Sequence, residues 1–360
     1  MTELYIGVMS GTSLDGVDVT LCKIDDTTCK LIYALEYPLD ADLKEEILST
    51  ISGQTTLASI GILNTKLANL FADAINALLG KYTIDASTVK AIGLHGQTLW
   101  HEPQGDFPFS IQLGCPNIVS AQTNIQVVAD FRSMDIANGG QGAPFAPAFH
   151  EFLFKQETKK IALINIGGMA NITILDAKIK GWDTGPGNVL LDYWVHTCKN
   201  LPYDPDGTFA ASGKINKSLL VSFLNDDYFK KAPPKSTGRE YFNASWLSSH
   251  LALFDIINKE DIQRTLLELT AITIANDVKS KASEVLIVCG GGVKNTFLIR
   301  RLRELNTCSL ATSDDYGVSS DYMESMAFAW FAKKRLDKEV VNLKSVTGAS
   351  KNSILGGIYG

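Results

Sequence analysis

Three glycine turns, each entered from a short apolar run, constrain this chain more than any other feature. Leu4 to Ser10 leads into Gly11-Thr12-Ser13-Leu14-Asp15-Gly16 and then the alternating Val17-Asp18-Val19-Thr20-Leu21, a strand, turn and strand. Ile161 to Ile166 leads into Gly167-Gly168-Met169-Ala170 and then Asn171 to Leu175, a second hairpin of the same plan. Val285 to Cys289 ends in Gly290-Gly291-Gly292 and enters a helical stretch, Asn295 to Leu305. Such turns expose consecutive backbone N–H groups, and the missing Cβ lets an anion approach closely. One turn alone is a tight hairpin. Three of them, in two similar halves, indicate an internal duplication built around phosphate. No GxxxxGK[ST] run is present, and the triple glycine lies too late to open a dinucleotide-binding unit.

The rest of the chain alternates strands and helices. Leu31 to Tyr37 reads as a third strand. Leu57, Ile60, Leu63, Leu67, Leu70, Phe71, Ala74, Ile75 and Leu78 mark a helix, with Thr55 or Thr56 as N-cap and Gly80 as stop. Val89 to Leu94 is a strand entering the polar cluster His95-Gly96-Gln97-Thr98, and Leu266 to Val278 is helical by period. Tyr322 to Leu336 reads as a long helix with Met323, Met326, Ala327, Trp330 and Phe331 on one face. The class is α/β, in two lobes, residues 1–158 and residues 159–337.

Composition narrows the ligands. With 360 residues, 45% of them hydrophobic, the chain can bury substantial cores. A net charge of -6 without basic clusters argues against nucleic acid. Phe107 to Ala129 carries no charge but is too polar to span a membrane, and reads as buried or site-lining chain. Met1-Thr2-Glu3 lacks the basic start of an export signal, so a cytoplasmic protein is expected. Six dispersed cysteines, with no CxxC or zinc-type spacing, read as reduced thiols.

Two phosphate hairpins and a late strand–GGG–helix resemble the actin-like, sugar-kinase and Hsp70 superfamily. The run Ile6-Gly7-Val8-Met9-Ser10-Gly11-Thr12-Ser13-Leu14-Asp15-Gly16-Val17-Asp18 is similar to the signature of its anhydro-N-acetylmuramic acid kinase branch. So are Leu94 to Thr98, Asp130-Phe131-Arg132, Gly139 to Pro144, Asn165 to Asn171, Asp183 to Asn188, Pro233 to Glu240 and Met323 to Ala329, in order along nearly the whole chain. The resemblance implies an actin-like (ribonuclease H-like) two-lobed ATPase fold, mixed sheets flanked by helices around a central cleft. It implies an ATP-dependent reaction, with Mg²⁺, on 1,6-anhydro-N-acetylmuramic acid. Water opens the anhydro ring while the γ-phosphoryl goes to O6. A tail, residues 338–360, that returns to the first lobe and a homodimer are also implied.

Site residues follow from the turns and the resemblance together. The expected ATP set is Gly11, Thr12, Ser13, Leu14, Asp15, Gly16, Val17, Asp18, Asn165, Gly167, Gly168, Gly185, Gly187, Gly290, Gly291, Gly292 and Asn295. The resemblance makes Asp183 the base that deprotonates water, with Trp182 beside it to exclude bulk solvent; by sequence alone Asp183 equally suits a cap for a helix beginning near Asn188. Glu324 is the second catalytic candidate, against an exposed residue of a solvated face. His95, Gln97, Arg132 and Gln141, with Asp183, are expected at the sugar, and Arg132 or Arg239 suits the lactyl carboxylate. Metal contacts are unassigned, with Met9 where Hsp70 relatives carry an acid and Asp15 and Asp18 nearby. The competing readings are a kinase of an ordinary sugar hydroxyl on the same fold and an ATP-driven binding or filament protein.

Overall fold

The structure is a computed structural model that describes every residue except Met1, Thr12, Ser13, Asp15, Gln54, Gln156, Glu157, Thr158, Pro234 and Glu240. The chain divides into two compact units, residues 1–153 with 322–360 and residues 154–321.

In the first unit, β1 (Glu3–Ser10), β2 (Gly16–Ile24) and β3 (Cys29–Pro38) form an antiparallel meander. β4 (Val89–Glu102) pairs parallel to β1, β5 (Phe109–Leu113) folds back on β4, and β6 (Val127–Ala129) runs parallel to β4. In the second unit, β7 (Ile161–Ile166), β8 (Met169–Leu175) and β9 (Lys180–Pro186) repeat the meander. β10 (Val285–Cys289) and β11 (Ser309–Thr312) extend it in parallel from β7. A final strand, β12 (Gly357–Tyr359), returns to pair antiparallel with β6. Both sheets thus have one order, a three-strand meander continued from its first strand by two parallel strands. The duplication expected from the glycine hairpins is present as topology, in the expected α/β class of mixed sheets flanked by helices.

Each core follows from its apolar periods. In the first unit, Ile6, Val8, Val17, Val19 and Leu21 pack with Leu63, Leu67, Phe71, Ile75 and Leu78 of the helix Leu57–Tyr82. The sheet's strands also carry the helix Met323–Leu336, whose backbone comes so close that Cβ atoms at Gly7 and Gly93 would lie 1.8 and 1.9 Å from its carbonyl oxygens. Only glycine admits that approach. In the second unit, Ile262, Leu266, Leu269, Ile274 and Val278 of the helix Lys259–Ser280 join Ile164, Ile172, Ile174 and Trp182 in one core. Buried Glu268 on this helix is paired with Arg264 at 2.9 Å and Arg301 at 2.7 Å. Burial pushes its pKa up, but the two guanidiniums outweigh that and hold the carboxyl below its ordinary range.

Four expectations change. The helix expected from Leu57 runs past Gly80 to Tyr82 and ends at Thr83 in the left-handed conformation, because Tyr82 stacks on Tyr33 with ring centroids 4.0 Å apart and so keeps its last turn. β4 does not stop at Leu94 but carries His95 to Thr98 inside the strand, with positive φ at Gly96. The start of Phe107 to Ala129 is not buried: Phe107, Phe109 and Ile111 are exposed on and beside the edge strand β5. The chain rejoins the first unit at Tyr322, not near Lys338, because the helix Met323–Leu336 lies against β1 and β4.

Candidate functional site

In the second unit, the parallel strands β7 and β10 deliver Gly167-Gly168 and Gly290-Gly291-Gly292 to the same carboxyl end of the sheet, where open α/β sheets collect their ligands. Gly290 has φ +80°, and a Cβ there would lie 2.2 Å from Asn165 Oδ1. At Gly187 it would lie 2.4 Å from the Gly167 oxygen. The amides of Gly187 and Asn188 donate to the carbonyls of Gly168 and Gly167 at 2.9 and 2.8 Å, so Gly187 braces the turn with the N–H that the sequence reserved for phosphate. Asn295 likewise accepts from Leu298 N–H at 3.0 Å and caps the helix Thr296–Leu305.

A polar row crosses this sheet. Asn165 pairs with Asn171, and Asn171 pairs with Asp183, so the three side chains share one face of β7, β8 and β9. All three are half-buried, whereas Ile166, Ile172 and Trp182 beside them are buried. A bulge interrupts the β8–β9 ladder between Ala170 and Asn171, a device that re-aims side chains beside active sites. Asp183 is gripped by a loop: its N–H donates to Lys235 O at 2.9 Å, its Oδ2 accepts from Thr237 N–H at 2.9 Å, and its carbonyl accepts the Tyr228 hydroxyl at 2.8 Å. It does not cap the helix Val189–Lys199, which begins at Asn188 without a side-chain cap. Trp182 does not shield it. Strand alternation turns that indole into the core, where Nε1 donates to Asp277 at 2.9 Å. On the same loop, the Arg239 guanidinium lies 3.8 Å from where a Gly168 Cβ would be. Nearby, burial pushes the Asp192 pKa up to about 7 against the opposing pull of Arg239.

In the first unit, Leu14 and Val17 of the first turn are core residues, so only their backbone is available to a ligand. Leu14 has φ +56°, and its N–H donates to Gly11 O at 3.3 Å. Gly16 and Asp18 begin β2, with Asp18 opposite Met9; Thr12, Ser13 and Asp15 lie outside the described residues. Of the expected sugar residues, His95 and Arg132 are in direct contact, whereas Asp183 belongs to the second unit. Arg132 donates to His95 Nε2 at 2.7 Å and to Gly142 O at 2.6 Å. Because guanidinium only donates, His95 Nε2 accepts and its proton sits on Nδ1. Burial, aided by Arg132, pushes the His95 pKa down to about 3, so the ring is neutral. Burial lowers Arg132 to about 10, with Glu324 pulling the other way. Glu324, in the first turn of the helix Met323–Leu336, keeps an exposed surface, yet desolvation raises its pKa above the usual carboxylate range and Arg132 only partly offsets this.

Gln97 is buried and accepts from Ser10 Oγ at 2.7 Å, which ties β4 to the end of β1. Gln141 is exposed on the loop whose Gly142 carbonyl holds Arg132. That loop is clamped by buried Asp135, which accepts from Gly142 N–H and Thr347 Oγ1, both at 2.8 Å. His95, Gly96, Ser110, Gln112, Asp130 and Tyr359 help line a cavity of about 300 Å³. Sequence reading passed over Asn171, Thr237 and Asp135. Asn171 had a signal, a polar residue inside an apolar alternating strand; Thr237 acts through its own N–H on Asp183 and Asp135 through Gly142 and the distant Thr347, contacts that only the fold reveals.

A model of the anhydro-N-acetylmuramic acid kinase family matches residues 3–360. The chain belongs to that family. It is therefore a kinase, and it uses ATP. Family relatives named anhydro-N-acetylmuramic acid kinase include that of Sulfurimonas denitrificans, 52% identical with 100% of both chains covered. Those of Sulfurovum sp. (54% identical, 99% of both chains) and Vibrio vulnificus (48% identical, 99% and 98%) are comparable. Among solved structures, an activator of the 2-hydroxyisocaproyl-CoA dehydratase from Clostridium difficile with bound ADPNP is similar at 11% identity and TM-score 0.46, over 94% of this chain and 96% of that one. A ROK family glucokinase from Streptomyces griseus in complex with glucose and AMPPNP is similar at 15% identity and TM-score 0.38, over 92% and 99%. No helix among the described residues is long and apolar enough to cross a membrane.

Proposed function

We propose that this kinase converts 1,6-anhydro-N-acetylmuramic acid, water and ATP into N-acetylmuramic acid 6-phosphate and ADP, a step in the recycling of cell-wall peptidoglycan. Water forms the new bond to C1 as the C1–O6 bond breaks; O6 takes the γ-phosphoryl, ADP leaves, and the water proton passes to Asp183. The observation that carries this reading is the setting of Asp183. A carboxylate fixed by Thr237 and Lys235 stands on the sheet face that ends in the Gly167-Gly168 and triple-glycine turns. Phosphoryl transfer asks for positioning and charge neutralisation, which suits rigid turns with few acids.

The proposed ATP contacts are the first turn from Gly11 to Asp18, the second at Asn165, Gly167 and Gly168 with Gly185 and Gly187 behind it, and Gly290 to Gly292 with Asn295 for the nucleoside. The sugar would meet His95, Gln97, Arg132 and Gln141, with Glu324 orienting the attacking water. Neutral His95 suits a hydroxyl or acetamido group, and Arg132 suits the lactyl carboxylate. A magnesium ion finds no group of three or more His, Cys, Asp or Glu among the described residues. That fits an ion carried mainly by the nucleotide's phosphates, whose charge it would neutralise, with Asp18 the described carboxylate at the first hairpin. A homodimer in the cytoplasm completes the reading.

Mass spectrometry of the product formed in ¹⁸O-water tests it. A 6-phosphate with one labelled oxygen is expected. An unlabelled sugar phosphate would instead identify a kinase of an ordinary hydroxyl, and ATP-dependent light scattering without product would identify a filament or binding protein.

A further inference from the structure

We infer that Asn171 is a further catalytic residue, holding the attacking water together with Asp183. The inference rests on the proposed function and goes beyond it by naming a second ligand for the nucleophile. Three observations carry it. Asn171 is the cross-strand partner of Asp183, and directly opposed residues of an antiparallel pair hold their Cβ atoms about 5 Å apart on one face. Two short polar side chains at that spacing can contact one water molecule. The bulge between Ala170 and Asn171 lies at this position in the ladder, where it turns the pair away from strict register. Among the described residues, none hydrogen-bonds the Asn171 amide, which is half-buried in a strand whose neighbours Ala170 and Ile172 are core. A half-buried amide without a protein partner is open to a bound water or ligand.

The chemistry assigns each side chain one proton of the water. Asp183 accepts the O–H that breaks, and Asn171 Oδ1 accepts the O–H that stays, so a lone pair is turned toward C1. The carboxamide is neutral at every working pH. It therefore orients the water without competing for its proton or raising the pKa of Asp183, as a second carboxylate there would. Asn165, next in the row toward the triple glycine, places Asn171 between the phosphate turns and the base.

Asn171→Ala and Asn171→Asp, compared with the unaltered chain, test this. For Asn171→Ala, kcat should fall about 10²-fold, in the range of one group acting on the proton in transfer, with the dissociation constant for ATP unchanged by calorimetry. For Asn171→Asp, the acid limb of the kcat profile should move to higher pH, since two adjacent carboxylates cannot both ionise easily; a merely structural residue would leave that limb in place. ATP affinity falling in parallel with kcat would overturn the inference and place Asn171 on the nucleotide, and so would Asn171→Ala with full activity. If the unaltered chain gives labelled product in ¹⁸O-water while the variants behave so, only this inference fails. If it gives unlabelled product, the proposed function fails and this inference falls with it.

Discussion

Replacing Gly93 with alanine should unseat the helix that carries Glu324. A Cβ at Gly93 would stand 1.9 Å from Phe328 O and 2.5 Å from Phe328 C. Real Cβ contacts stay above 3.0 Å, so helix or strand must give by about 1 Å (3.0 less 1.9). The obstructing atoms are backbone, and the helix is fixed on its other sides by buried Met326, Trp330 and Phe331, so no rotamer change can absorb the overlap. Overpacking of cores costs about 1–3 kcal/mol, and a rigid obstruction belongs at the upper end. Alanine in a strand returns about 0.5–1 kcal/mol relative to glycine. The net loss should be about 2 kcal/mol, or roughly 4–8 °C in the melting of a unit this size. Gly61→Ala is the control, because its Cβ would meet nothing within 4 Å and it lies inside the helix Leu57–Tyr82, where alanine stabilises by about 0.5–1 kcal/mol. Differential scanning calorimetry of both variants decides. Gly93→Ala melting within a degree of the unaltered chain would refute the close-approach reasoning, as would Gly61→Ala losing as much as Gly93→Ala.

Asp183→Asn should lose about 10²–10⁴ in kcat while ATP binding by calorimetry stays unchanged, since an amide oxygen can still accept from Thr237 N–H but cannot take a proton from water. Loss of nucleotide binding would instead make Asp183 structural. The imidazole signals of His95 and His150 should not move between pH 5 and 8 in NMR titrations, because burial pushes both pKa values down to about 3. Asp192 binds its proton more tightly in the folded state, with a pKa raised to about 7. Its contribution therefore weakens folding as pH rises from the unfolded value of about 4 through 7. Asp192→Asn should become more stable relative to the unaltered chain as pH rises across that window in urea titrations, and an advantage that instead shrinks with rising pH would contradict the sign.

The topology was legible because its signals are local. Apolar runs ending in glycine mark β1, β7 and β10 whatever surrounds them, and the resemblance placed Asp183 and Glu324 by motif. Other features depend on partners distant in sequence. Nothing near Gly80 shows that Tyr82 will stack on Tyr33, and nothing near Thr98 shows that β5 will fold back and prolong β4. Trp182 and Asp183 are neighbours in sequence, yet the strand sends them to opposite faces, which is why adjacency misled and cross-strand register did not. The clamp from Asp135 to Thr347 spans most of the chain, and no spacing rule would find it.

The two units also show what duplication supplies and what it leaves to later change. In the first unit Met9 pairs with Asp18 and Asp18 with Glu36; in the second Asn165 pairs with Asn171 and Asn171 with Asp183. The same backbone thus puts a carboxylate on the third strand of each meander. Glu36 is exposed, and β3 passes with a short connection into the helix Ala41–Ile51. Asp183 is half-buried, and between β9 and the helix Lys259–Ser280 the chain inserts the segment that returns Lys235 and Thr237 to grip it. A strand position fixes where an acid stands, but orientation to within a hydrogen bond needs a second segment to hold it. The inserted loop is therefore what distinguishes a candidate base from an ordinary surface acid on a repeated scaffold, and substitutions at Thr237 that disturb its N–H should affect chemistry more than folding.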